Sequence, residues 1–387
     1  MRILHVVADA DPAKGGVIEG VLRLGDAYRS CGHEQHLLTL DAPEDRWVAD
    51  CPSPVFAMGR ASDAKRFYPA RAIAWLRQHA GDYDGIVVDG LWNAATLAAR
   101  QVLPGSGVPY AVFPHGMLDP WFRELQPTKE WVKRQLFRIN EGPLLRGARA
   151  VLFTAESERM LAAQSWPGWT GMREQVVGFG TGEPPPESDA MHAAFGGKVP
   201  AVENSPYVLF LSRIHPKKGI GILLEGFAEA CGRGEWQLVI AGPGEAGFVA
   251  SLRDRAARLG IASQVHWPGM LTGAAKWGAL YGCEAMALTS YQENFGVVVA
   301  EACACRRPVI VSDQVAVHLE ISGAGAGLVC ETRPPSVAAA LSDLCAMPPV
   351  QRKAVGTNGR ALFESVFAME KVAQRVLAVF ADNPENG

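Results

Sequence analysis

Short apolar runs alternate with longer segments of helical period along most of the chain. "RILHVVA" at 2–8 is mostly apolar, as a strand covered on both faces must be. A Gly15–Gly16 turn follows. Then come "VIEGVLRLGDAYRSCG" (17–32), with apolar residues every three or four positions, and a second strand, "HEQHLLTL" (33–40). The same reading predicts strands at "DGIVVD" (84–89), "YAVFPH" (110–115) and "RAVLFTA" (149–155). Pro184, Pro185 and Pro186, with glycines nearby, break the alternation between 181 and 206. Beyond them it restarts: strands at 207–212, 236–242, 264–269, 285–290, 308–313 and 326–331, with helices at 219–233 and 246–260. The segment 354–380 reads as two helices, the second without a strand partner. Strands separated by helices make parallel sheets covered on both faces, so the expected class is α/β, with two doubly wound domains. The expected boundaries are 1–182 for an N-terminal Rossmann-like domain and 183–205 for a linker. A C-terminal Rossmann-like domain at 206–365 and a last helical segment at 366–387 complete the chain.

Length agrees with two domains, because 387 residues exceed what one core serves. A net charge of -3, with 20% charged residues, argues against a polyanion-binding protein, and no nucleic-acid partner is expected. No run reaches the ~20 apolar residues that span a bilayer. The eight cysteines include no Cys-x-x-Cys pair and several stand in apolar runs, which points to reduced, buried thiols and a cytoplasmic protein.

In open α/β sheets ligands bind beyond the carboxyl ends of the strands, so the chemistry should collect in the strand-to-helix loops. "SRIHPKKG" (212–219) puts Arg213, Lys217 and Lys218 before a helix whose N-terminus itself favours anions, a setting for a diphosphate. A solvated basic turn is the plainer reading. "AGPGEAG" matches G-x-G-x-x-G through Gly242, Gly244 and Gly247. The acidic ribose partner of a dinucleotide fold is missing, since the next strand offers Gln264 and His266, so nicotinamide binding is disfavoured. A glycine loop that lets a base and ribose approach the backbone remains. Gly16 would likewise admit a ligand close to the backbone, and His115, just after a strand, could hydrogen-bond a hydroxyl or phosphate oxygen. "DAD" (9–11) has the form of a metal-binding Asp-x-Asp but ends the first strand, and no metal is expected.

The stretch "SYQENFGVVVAEACACRRPVIVSD" (290–313) carries two carboxylates eight positions apart. With a helix starting near Gly296, residues Asn294, Phe295, Gly296 and Val297 would present amide groups to an anion. Glu293 lies outside that helix and Glu301 within it. A buried Glu301 needs partners, and sugar hydroxyls would serve.

At this point the chain resembles the retaining glycosyltransferases of family four, with the GT-B fold. The likeness rests on "ENFGVVVAE", "SRIHPKKG", the N-terminal Gly-Gly, the glycine loop and "PHGM". The resemblance implies two facing Rossmann-like domains with a cleft between them and a final helix returning to the first. It implies that Arg213 and Lys218 hold a donor diphosphate, Glu301 the ribose, and Glu293 with Asn294–Val297 the sugar and phosphates. His115 would touch the sugar and Gly16 the diphosphate. It also implies a metal-independent hexosyl transfer from a nucleotide sugar, with no cofactor, to a saccharide or lipid-linked saccharide. "KGGVIEG" departs from the commoner Gly-Gly-small-Glu form, which bears on the acceptor side. A nucleotide-sugar-binding regulatory partner without activity is the alternative. Between Trp121 and Arg149 seven basic residues outnumber three acidic ones, with Trp131, Leu136 and Phe137 interleaved. That segment suggests peripheral attachment to an anionic, inner-face membrane surface, or an ordinary amphipathic helix.

Overall fold

The computed structural model describes residues 1–59, 68–120, 127–166, 168–203, 205–232 and 234–381. Two compact α/β units result. One comprises Met1–Phe179 with the helix Met369–Ala381, and the other Gly180–Ala368.

The strands of the first unit are β1 (Arg2–Val6), β2 (Glu34–Thr39), β3 (Val55–Ala57), β4 (Gly85–Asp89), β5 (Tyr110–Phe113), β6 (Ala150–Phe153) and β7 (Glu174–Val176). They form a seven-stranded parallel sheet of order β3-β2-β1-β4-β5-β6-β7. β4, β5 and β6 are buried at every position, which explains why, apart from Asp89 at the end of β4, their sequences are apolar. The helix Gly16–Ser30 buries Ile18, Val21, Leu24 and Tyr28. Gly20 in that helix is required by packing, since a Cβ there would stand 2.3 Å from the Phe179 ring. Met369–Ala381 packs on Gly16–Ser30, and its Phe380 ring lies where a Cβ on Gly85 would be.

The second unit contributes β8 (Tyr207–Leu211), β9 (Gln237–Ala241), β10 (Val265–Gly269), β11 (Ala285–Leu288), β12 (Val309–Ser312) and β13 (Gly327–Cys330). These six strands are parallel and lie in the order β10-β9-β8-β11-β12-β13. All six fall inside the expected segments. The stretch 183–205, expected as a linker, lies within this unit and contains the helix Asp189–Gly196. A Cβ on Gly278 would stand 2.0 Å from the Met191 carbonyl oxygen, so the helix Gly273–Gly282 approaches it closely.

In each sheet the strand order reverses beside the first strand, at β1/β4 and at β8/β11. The loops leaving these paired strands diverge and open a crevice beyond their carboxyl ends. Among the described residues, no helix is long and apolar enough to cross a membrane.

Candidate functional site

In the second unit, three loop contacts assemble the polar groups. Gly219, at φ 66°, lies where a Cβ would stand 1.9 Å from the Thr289 carbonyl oxygen, so only glycine lets the loop after β8 seat against the end of β11. The Tyr291 amide donates to the Lys217 carbonyl at 2.8 Å and fixes that seat. Lys218 is thereby brought to Glu293, and the ammonium and carboxylate form an ion pair. Neither side chain is exposed, so the pair lies where solvent screens it weakly. The Glu293 amide donates to Gln314 and its carbonyl accepts from Ala316, both at 3.0 Å, which anchors it beside the loop after β12.

Gly296, at φ 76°, caps the helix Val297–Ala304. A helix cannot satisfy its own first amide groups, so the positive end of the dipole falls at this turn, a few residues beyond the carboxyl end of β11. Glu301, in the second turn, is 4% exposed and accepts from Lys276 Nζ at 2.7 Å. The partner that its burial demands is therefore a lysine of the helix Gly273–Gly282, and that ammonium also lies 4.8 Å from the centre of the Trp277 ring. At the start of the motif the Ser290 hydroxyl is buried and finds no partner among the described residues.

Arg213 is exposed, next to Ile214, whose amide donates to the Pro243 carbonyl at 2.7 Å. This contact joins the loop after β8 to the glycine loop after β9. Gly242 stands at φ 147°, and a Cβ there would lie 1.8 Å from the Ser212 carbonyl oxygen. Its glycine is thus demanded by chain packing. Gly247 belongs to a helix start instead, where Glu245 accepts from the Gly247 and Phe248 amides, both at 2.8 Å. A cavity of about 480 Å³ runs beside this loop, lined by Gly242, Gly244, Arg253, Trp267 and Met270.

The first unit builds a different kind of site at β1/β4. Asp89, at the end of β4, is completely buried between two imidazoles. His5 Nδ1 of β1 lies 2.7 Å from its Oδ2, and His115 Nε2, after β5, 2.8 Å from its Oδ1. Burial alone would raise the Asp89 carboxyl, but the paired histidines outweigh it and hold the group below the usual carboxylate range. An ionised Asp89 accepts an N–H from each ring. His115 meets Asp89 through Nε2, and its Nδ1 is the ring's other nitrogen, while His5 Nε2 is buried and finds no partner among the described residues. His115 takes φ 51°, unusual without glycine, and stacks on Phe113 with centroids 4.1 Å apart. Glu158 secures the turn: it accepts from the Gly116 amide at 2.6 Å and from the amide and hydroxyl of Thr154 at 2.7 and 2.6 Å. Burial keeps its carboxyl above the ordinary range even so. Gly16 opens its helix in clear space, where a Cβ would meet nothing within 4 Å, and the positive φ belongs to Gly15.

Sequence reasoning singles out His115, Lys218, Glu293 and Glu301 but misses His5, Asp89, Glu158 and Lys276. Asp11 caps a turn by accepting from the Ala13 amide at 2.9 Å, while burial and Asp41 raise the half-buried Asp9. In the basic segment, 121–126 and the side chains of 127–130 lie outside the described residues, Arg123, Glu124, Lys129 and Glu130 among them. Phe137 is buried and stacks on Trp166 at 4.9 Å, so it is core. Trp131 and Ile139 are outside, at 65% and 70% exposure, with Val132 and Leu136.

The comparisons with known proteins agree with this division. The family described as glycosyl transferases group 1 matches residues 195–362, and the glycosyl transferase 4-like domain matches residues 15–178. Alpha-D-kanosaminyltransferase of Streptomyces kanamyceticus is 27% identical over 190 residues, 47% of this chain and 47% of its own. D-inositol 3-phosphate glycosyltransferase of Kineococcus radiotolerans is 29% identical over 221 residues, 53% of this chain and 49% of its own. The chain thus spans about half the length of the curated relatives it matches. Anabaena HepE, crystallised with UDP and glucose, shares the fold at a TM-score of 0.73 and 19% identity, over 99% of this chain and 100% of that one. With one family matched on each parallel α/β unit, the chain belongs to the group 1, family-four glycosyltransferases of GT-B fold.

Proposed function

We propose that this protein is a retaining hexosyltransferase that takes a UDP- or GDP-sugar and glycosylates a saccharide or lipid-linked saccharide in polysaccharide or glycolipid assembly. The observation that carries the reading is the Lys218–Glu293 pair at the mouth of the Val297–Ala304 helix, with Arg213 on the same loop as Lys218. An arriving diphosphate competes for Lys218 and takes it from Glu293, which frees that carboxylate to accept from sugar hydroxyls. Arg213, Lys218 and the amides of Asn294–Val297 stabilise the charge that gathers on the leaving phosphate, with no metal required. Glu301, braced by Lys276, receives the ribose hydroxyls, and Gly242 borders the base; in the first unit Gly16 leaves its backbone open to a phosphate oxygen. His115, in the same unit, has Nδ1 to offer a hydroxyl or phosphate oxygen. In a front-face reaction the acceptor oxygen bonds to the anomeric carbon as the bond to phosphate breaks on the same side, and the acceptor proton passes to the leaving phosphate oxygen. Positioning is then most of the catalysis. HepE's complex with UDP and glucose supports a UDP donor.

The exposed Trp131, Val132, Leu136 and Ile139, beside the basic Lys133, Arg134 and Arg138, support attachment to the cytoplasmic face of an anionic membrane. Thermal shift and calorimetry with UDP, GDP and ADP sugars test the donor, because a binder stabilises the fold by mass action. Stabilisation by one of them, with anomer-retaining transfer that survives EDTA, is the expected result. Indifference to all three overturns the reading. Loss of activity in EDTA, restored by manganese, would return Asp9 and Asp11 to consideration.

A further inference from the structure

Two thiols outside this site stand unusually close. Cys231 ends the helix Ile220–Cys231 and Cys345 lies in the last turn of Pro334–Ala346, and their Sγ atoms are 3.2 Å apart. The approach is built into the packing: a Cβ on Gly226 would stand 2.7 Å from Val337 Cγ1 and 2.9 Å from the Ala338 amide, so this glycine lets the two helices close on each other. We propose that Cys231 and Cys345 form a reversible disulfide site oxidised by hydroperoxides, with Cys345 as the attacking sulfur.

Exposure and electrostatics set the order of events. Cys345 is half-buried and reachable from solvent, whereas Cys231 is buried. The S–H of Cys231 and, more weakly, the Arg352 guanidinium favour the Cys345 thiolate, while the hydrogen bond to that sulfur and burial push Cys231 upward. Cys283, Cys303, Cys305 and Cys330 offer a contrast, because burial pushes each of their thiols up to about 12. In the first step the Cys345 thiolate attacks one peroxide oxygen, the O–O bond breaks, and hydroxide leaves to become water. Cys345 is then a sulfenic acid. In the second step Cys231 Sγ attacks Cys345 Sγ and expels the hydroxyl as water, so the two thiols lose two electrons and the peroxide becomes two waters. The sulfurs need approach by only about 1.2 Å to reach a normal S–S length of about 2.05 Å.

The site is independent of the proposed transferase activity, and peptide mapping of the intact chain tests it. After a slight excess of hydrogen peroxide, a peptide pair joining Cys231 to Cys345 and two hydrogens lighter should appear, and dithiothreitol should reverse it. Two thiols should vanish from the eight that titrate in denaturant. Cys231→Ser should leave Cys345 as a sulfenic acid trapped by dimedone, and Cys345→Ser should leave Cys231 reduced at the same dose. Recovery of both residues as free thiols in the unmutated chain, or their linkage to other cysteines, overturns the proposal without recourse to either variant.

Discussion

The two units place their polar groups at equivalent points of similar sheets and satisfy them in opposite ways. In the first, Asp89 is enclosed by His5 and His115, and Glu158 by Thr154 and Gly116, all through short contacts from strands and adjoining turns. Those groups are committed to one another before any ligand arrives. In the second, Lys218 holds Glu293 and Lys276 holds Glu301, pairs that in the proposed reading a diphosphate and a ribose would replace one partner at a time. One side is a fixed template and the other an exchangeable set of charges. A buried network of mutually bonded groups gives rigidity, and paired ions at a loop give a site that can respond to what binds.

Removal of one exchangeable charge is the strongest attack on that contrast. Lys218→Ala should lower turnover about 10²-fold or more, the order expected when one preorganised donor is lost, and added magnesium should not restore it. Steady-state kinetics with the identified donor decide the matter. A fall in donor affinity with turnover intact would mean that Lys218 acts on ground-state binding alone.

The template is tested by Asp89→Asn, which should cost about 2–3 kcal/mol of stability and reduce turnover by roughly 10-fold as His115 loses its fixed orientation. The facing groups are His5 on β1, His115 after β5, Tyr28 on the first helix and Glu158. Because Asp89 titrates below its unfolded value, its contribution is present above about pH 4 and disappears as pH falls through the lower folded value. In denaturation curves the stability gap between the two proteins should therefore be constant from pH 7 to about pH 4 and narrow as pH falls further. A gap that stays constant below that pH would show that the carboxylate charge is not what matters.

A finer division lies inside the second site. Glu301→Gln should weaken nucleotide and nucleotide-sugar binding alike, by about 10-fold in calorimetric titration, whereas Lys276→Met, which removes only the brace, should cost a few-fold. Equal losses in both variants would assign the direct ligand contact to the lysine as well. The smallest effect is expected at the surface, where Trp131→Glu with Ile139→Glu should reduce co-sedimentation with anionic vesicles a few-fold and leave neutral vesicles ignored throughout.

Legibility follows the range of the interaction. Strands such as β6 and β11, buried on both faces, are unbroken apolar runs that can be read directly. β3 and β7 are half-buried edge strands of three residues each, too short for the pattern to mark: Val55–Ala57 is apolar but brief, and Glu174–Val176 begins with two polar residues. The helix Asp189–Gly196 is hidden by the prolines before it, which end one element without forbidding the next. Lys218 and Glu293 stand in recognisable loops at strand ends. Asp89 and His5 are 84 positions apart and meet only because β4 pairs with β1, a neighbourhood that residue pattern alone does not report. Lys276 likewise comes from a separate helix, 25 positions before Glu301.

The helix Met369–Ala381 has a consequence for the order in which the molecule is made. The first unit is built mostly from the early part of the chain, yet it receives this helix only after the whole of Gly180–Ala368 has been synthesised. During translation the helix Gly16–Ser30 and the Phe380-sized space over Gly85 must wait, while the second unit has every residue it needs. The second unit is continuous in sequence and can close on its own residues, whereas the first cannot complete its core until a helix that follows the whole of the second unit has been made and released.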